Sequence, residues 1–189
     1  MARISLDPPR TPLFRFIEWY SKRSFGKVLD PGKALAHSPR VLRTYFRMEQ
    51  GVTKWHALDR DLSALAVLAA ATRLDCSWCM DFGYWENRER GMSAEKLRAV
   101  PGWRESGVYS PTERDVMAYA EAMTTTPVTV DDELADRLRT RLGEAAFVDL
   151  TAVVAVENMR SRLNLALGLV SQGFKETCDL RDAPTAGGH

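Results

Sequence analysis

Cys76-Ser-Trp-Cys79 stands just after a ten-residue apolar run, Leu62 to Ala71 (LSALAVLAAA), and just before a second helical segment, Met80 to Glu89. The run is bounded by Asp61 and Arg73 and is half the roughly 20 residues that cross a bilayer. It must therefore find its apolar surroundings inside the protein, as a buried helix. Two cysteines at the CxxC spacing can close a disulfide with little backbone cost. Such a pair is more often kept for sulfur chemistry than for packing.

Most of the remaining chain also reads as helix. Ser38-Pro39 joins a cap residue to a first-turn proline and Gly51 offers a stop, with Val41, Leu42, Tyr45 and Phe46 at one-face spacing between them. A second helix runs from about Asp59 to Arg73, with Leu62, Leu65, Ala66 and Ala69 inward. The helix after the CxxC ends near Gly91, and Ser93 caps a short one through Leu97. Ser110-Pro-Thr-Glu113 is a capping box opening a helix to about Met123. Asp131 to Leu142 follows, ended by Gly143, and a last long helix is expected from Glu144 to Gln172. Thr126 to Val130 is too short and isolated to build a sheet. The expected fold is all-α.

Three segments follow from this: an N-terminal extension with an aromatic helix (1–35), a helical domain (36–173) and a tail (174–189). Residues 1–11 and the stretch from Glu176 look loosely held, and residues 98–111 form one longer connection. The aromatic run Phe14 to Tyr20 is expected to cover the core or a subunit contact. With 189 residues, 45% hydrophobic and 27% charged, the chain suits one soluble domain with a sizeable core. Its 26 Lys and Arg against 25 Asp and Glu leave no basic field for nucleic acid. The N-terminus lacks the apolar core of a signal peptide. Three cysteines do not make a disulfide framework, so a reducing, cytoplasmic compartment with a catalytic pair is expected, and no membrane.

A CxxC at a helix start sets backbone N–H groups and the positive end of the helix dipole beside a thiolate, which lowers its pKa. The cysteine three residues away can resolve a sulfenic acid or mixed disulfide. Asp75 works in the opposite direction. Zinc is the weaker option, because only Cys178, His37, His56 and His189 remain and none pairs with another at short range. No metal and no cofactor is expected. On the last helix, Phe147, Val154, Leu165 and Leu169 mark an apolar stripe that Asn158 and Arg162 interrupt. These two need partners, either an anion or thiolate at the site or a helix end or subunit contact.

The runs Leu58 to Ala66, Cys76-Ser-Trp-Cys79-Met-Asp and Asn158-Met-Arg-Ser-Arg162-Leu-Asn164 resemble the carboxymuconolactone decarboxylase superfamily. Within it the chain looks most like the alkylhydroperoxidase D branch, over roughly residues 36–170. The resemblance implies an all-helical bundle with the CxxC at a helix start, and a homo-oligomer, trimer or hexamer. It also implies a peroxidase in which Cys79 attacks a small hydroperoxide and becomes the sulfenic acid. Cys76 then closes the disulfide, which an external thiol reductant reopens.

The chain departs from that pattern at the proton relay. The family has a Glu twelve residues before the first cysteine, a His just before the second and a His four residues after it. Ala64, Trp78 and Gly83 occupy those positions here. Asp61, one turn before Ala64, and His56 are the substitute bases expected from sequence, with Asp81 and Tyr84 also near in sequence. Gly83 either leaves room for substrate or admits a tightly packed helix. Trp78, Phe82 and Trp85 are core or interface residues before they are pocket walls.

The leading expectation is a thiol-dependent peroxidase. A disulfide reductase or redox sensor, a lactone decarboxylase-like enzyme and a ligand-binding protein on the same fold are the alternatives.

Overall fold

The computed structural model describes residues 2–182, with side chains through Cys178. Among these residues there are α-helices and a single 3-10 turn at Val100–Gly102, and no strand. The chain is all-α, as its sequence indicates. It divides into two compact units, Met1–Trp55 with Leu163–Val170 and His56–Arg162 with Ser171–His189.

The first unit holds α1 (Pro12–Phe25), α2 (Asp30–Leu35) and α3 (Pro39–Val52). Thr11 caps α1 by accepting from the Phe14 N–H, and Gly26 ends it in the left-handed region at φ 73°. Phe14 and Ile17 of α1 pack with Leu35, Ala36 and Leu42. Phe16 and Trp19 lie on the other face of α1, Trp19 with 61% exposure. Val41, expected on the inward face of α3, is exposed instead. The N-terminal residues are tied down more firmly than composition suggests. Arg3 donates from its guanidinium to the carbonyls of Leu165 and Ala166, and from its backbone to Leu167.

The second unit is built on α4 (Arg60–Arg73), the apolar run read from the sequence. Asp59 caps it, accepting from the N–H groups of Asp61 and Leu62. From Ala64 to Ala71 nearly every side chain is buried, which suits a helix apolar on all faces. α5 (Ser77–Glu89) and α6 (Ala94–Ala99) follow, and then α7 (Pro111–Thr124) opens with both halves of the predicted capping box in place. α8 (Asp132–Leu142), α9 (Glu144–Ala166) and α10 (Phe174–Asp182) complete the order, the last few residues of α9 falling in the first unit. One apolar core gathers Leu65, Leu68 and Ala69 of α4, Val116 and Met117 of α7, Leu138 of α8, and Leu150 and Val154 of α9.

Two helix boundaries differ from expectation. α9 stops at Ala166 rather than Gln172 because Gly168 takes a positive φ of 68°, a conformation that costs glycine little. The chain from Glu176, expected to be loose, is helical to Asp182 as part of α10, and Phe174 and Cys178 of that helix are buried. The remainder of that stretch, residues 183–189 with His189, lies outside the described residues.

Gly83 of α5 faces α4. A Cβ placed there would sit 2.9 Å from Leu68 Cδ2. Of the two readings of this glycine, the structure supports the tightly packed helix, and the same contact leaves no space for a family-type His. Gly83→Ala should destabilise the fold by about 1–3 kcal/mol through overpacking, read as a lower urea midpoint at an unchanged m value.

Candidate active site

The turn from α4 into α5 sets the cysteines. Asp75 adopts a left-handed φ of 55°, which Asp tolerates better than most residues. The Cys76 N–H then bonds back to the Ala71 carbonyl at 3.0 Å and Cys76 becomes the cap residue of α5. Cys76 and Cys79 are joined as a disulfide with Cα atoms 5.3 Å apart, inside the ordinary range for such a bridge. The Cys79 N–H points at Cys76 Sγ, 3.3 Å away, so the first turn of α5 offers a backbone donor to sulfur. Cys76 is fully buried, whereas Cys79 keeps 6% exposure.

Behind Cys79 stands α9. Ser161 Oγ lies 3.3 Å from Cys79 Sγ and donates to Glu157 Oε1 at 2.8 Å. Ser161 is fully buried and Glu157 has 2% exposure. The other Glu157 oxygen is 3.5 Å from the guanidinium of Arg160, one turn on. Residues 157 and 161 share a helical face with Leu150 and Val154, and all four are buried. Ser161 therefore bridges a buried carboxylate and the Cys79 sulfur. The arrangement can move a proton.

In front, α10 is bolted to α5. Asp81, buried two residues after Cys79, accepts from the backbone N–H groups of Gln172, Phe174 and Lys175 at 2.9, 3.1 and 2.7 Å. Trp78 Nε1 donates to Gln172 Oε1 at 2.8 Å. The Trp78 ring stacks on Phe82 at 5.2 Å, and Phe174 meets Phe82 edge-on and Trp85 at a tilt. These aromatics form a wall held by α10, in keeping with their reading as core residues first. Tyr84 is buried beneath the Lys175 ammonium, 4.9 Å from its ring centre. Asp81 and Tyr84 thus anchor a helix. Cys178, buried on that helix and outside the disulfide, has its sulfur 4.0 Å from Glu89.

The two bases expected from sequence are not at the pair. Asp61 and His56 are both exposed. Asp61 lies in the first turn of α4, ten residues before Ala71, whose carbonyl receives the Cys76 N–H. At 1.5 Å per residue that is about 15 Å along the helix. His56 precedes even that turn. Asp61 does not reach sulfur from there. The apolar stripe read on α9 was also displaced: Arg162 is exposed, and Asn158 serves structure by bonding Thr124 Oγ1 of α7 at 2.9 Å. Glu157 and Ser161 went unread, although Leu150, Val154, Glu157 and Ser161 recur at spacings of four, three and four. That continuous spacing was the available signal.

A helical bundle with a buried CxxC at the start of one helix defines a class of proteins, and comparison with known proteins identifies the family. The model of the carboxymuconolactone decarboxylase family matches residues 39–122. The uncharacterized protein YnjA of Escherichia coli (strain K12) is 32% identical over 161 residues, spanning 82% of this chain and 86% of that protein. The chain belongs to the carboxymuconolactone decarboxylase family. Its fold matches the alkylhydroperoxidase AhpD core of a peroxidase-related protein from Ralstonia eutropha JMP134, with a TM-score of 0.80 at 18% identity over 92% of this chain and 94% of that one. The debrominase Bmp8 in complex with 2,3,4-tribromopyrrole matches with a TM-score of 0.81 at 17% identity, covering 95% of this chain and 99% of that one.

Proposed function

We propose that this chain is a thiol-dependent peroxidase that reduces small organic hydroperoxides with the Cys76–Cys79 dithiol. The observation that carries the reading is the pair itself, bonded at the start of α5, with Cys76 fully buried and Cys79 keeping slight exposure. In the reduced enzyme the Cys79 thiolate attacks the terminal peroxide oxygen, forming an S–O bond as the O–O bond breaks. An alcohol leaves, taking up one proton, and Cys79 becomes a sulfenic acid. The Cys76 thiol then forms the S–S bond, and its proton departs with the sulfenic hydroxyl as water. An external dithiol restores the reduced state. The peroxidase-related neighbours in fold support this reading, and the debrominase on the same fold marks another electrophile that a protein of this shape meets.

Among the described residues no helix is long and apolar enough to cross a membrane. We place the enzyme in the cytoplasm, where a thiol pool can return the pair to its reduced form, and as a homo-oligomer of the kind the family resemblance implies. Thiol trapping with mass spectrometry tests the activity. One equivalent of cumene hydroperoxide added to reduced protein should remove two thiols within seconds, both from the peptide carrying Cys76 and Cys79, and dithiothreitol should restore them. Thiols that stay free, or that react no faster than buried Cys178, would sink the peroxidase reading.

A further inference from the structure

We infer that α9 supplies the proton acceptor for Cys79, with Ser161 as the group that touches sulfur and Glu157 as the base behind it. The inference rests on the dithiol reading above and names the residues that make it work. Ala64 and Gly83 have no side chain able to take a proton, and the Trp78 indole N–H is committed to Gln172. The relay expected of the family is missing from α4 and α5, yet the pair still needs a base. Glu157 and Ser161 provide one from a different helix.

The geometry sets the direction of transfer. A serine hydroxyl has one proton and two lone pairs. With that proton given to Glu157 Oε1 at 2.8 Å, the oxygen presents a lone pair toward Cys79 Sγ at 3.3 Å. On reduction Cys79 gains a proton and points it at that lone pair. As the thiol ionises, its proton moves to Ser161 Oγ while the serine proton moves to Glu157, leaving a thiolate, an intact hydroxyl and a neutral carboxylic acid. When the O–O bond breaks, the same path runs backward. Ser161 protonates the departing alkoxide and is reprotonated by Glu157, so no proton is lost or gained within the step.

Burial makes the arrangement effective. Glu157 and Ser161 are almost wholly removed from solvent, so a proton handed between them passes by direct contact. The partly exposed Arg160 guanidinium lies 3.5 Å from the far oxygen. Ser161 is a catalytic residue by contact with the reacting sulfur, and Glu157 acts through it.

Glu157→Gln and Ser161→Ala, singly and together, test the relay. Gln keeps the side-chain shape and a hydrogen bond to Ser161 but cannot take the proton. Two rates are read on reduced protein at pH 7: oxidation by cumene hydroperoxide and alkylation of Cys79 by iodoacetamide, with the urea midpoint as the fold control. We expect each single variant to lose on the order of 10²-fold in both rates, the usual worth of a positioned base. The double variant should lose no more than either single one, because the residues act as a unit. The deficit should narrow as pH rises into the range where solvent ionises the thiol unaided. Wild-type rates and pH profile in Glu157→Gln, or losses that multiply in the double variant, would overturn the relay. Failure of the underlying reading looks different: wild-type protein would then ignore hydroperoxide while iodoacetamide still reported the relay.

Discussion

Cys79→Ser is expected to abolish catalytic hydroperoxide consumption, by on the order of 10³-fold or more, as loss of a nucleophile generally does. Cys76→Ser should behave differently. Its Cys79 still attacks, so the first equivalent of peroxide is consumed at close to the normal rate, and then turnover stops at the sulfenic acid. Dimedone labelling and the mass of the Cys79 peptide report that intermediate. The asymmetry follows from position. Cys79 is the cysteine with residual exposure and the Ser161 contact, whereas Cys76 is enclosed at the cap of α5. Equal bursts from the two variants would remove the division of labour between the sulfurs. Continued turnover in Cys79→Ser would move the activity away from the pair.

The second large effect is on stability. Asp81→Ala should cost about 3 kcal/mol or more, since it leaves three backbone N–H groups at the start of α10 without their buried carboxylate, and hydrogen bonds to a charged group are each worth about 1.5–3 kcal/mol. Because α10 docks on α5 through that carboxylate and through Phe174, the loss should appear locally before it appears globally. Cys178, buried in the native protein, should react with a maleimide at denaturant concentrations well below the unfolding midpoint. A Cys178 that stays protected until global unfolding would show that the aromatic contacts alone hold the helix. The variant also asks how far the Trp78–Phe82 wall depends on α10 for its shape.

The fold was largely legible in the sequence. Asp59, Ser110 and Asp131 each accept from a backbone N–H at the start of the helix they were expected to open, because capping is a local interaction fixed by three or four neighbouring residues. The apolar run of α4 was equally plain, since a helix hydrophobic on every face has one place to go. The CxxC was legible as chemistry for the same local reason. Two sulfurs three residues apart can bridge whatever surrounds them.

The side chains behind Cys79 were not legible, and α9 shows why. Val148, Met159 and Leu165 are apolar yet exposed, while Glu157 and Ser161 are polar yet buried, so hydropathy alone assigns its faces wrongly. Each one-residue error on a helix turns the face by about 100°, which brought Asn158 and Arg162 forward in place of Glu157 and Ser161. Proximity in sequence misled in the same way with Asp61 and His56: both precede the cysteines closely, but both are exposed, and the rise of α4 carries Asp61 away. Sulfur identity, helix starts and the buried run are properties of short segments, and the order of residues alone determined them. Which side chain meets Cys79 depended on packing between helices some eighty residues apart, and only the tertiary structure could decide it.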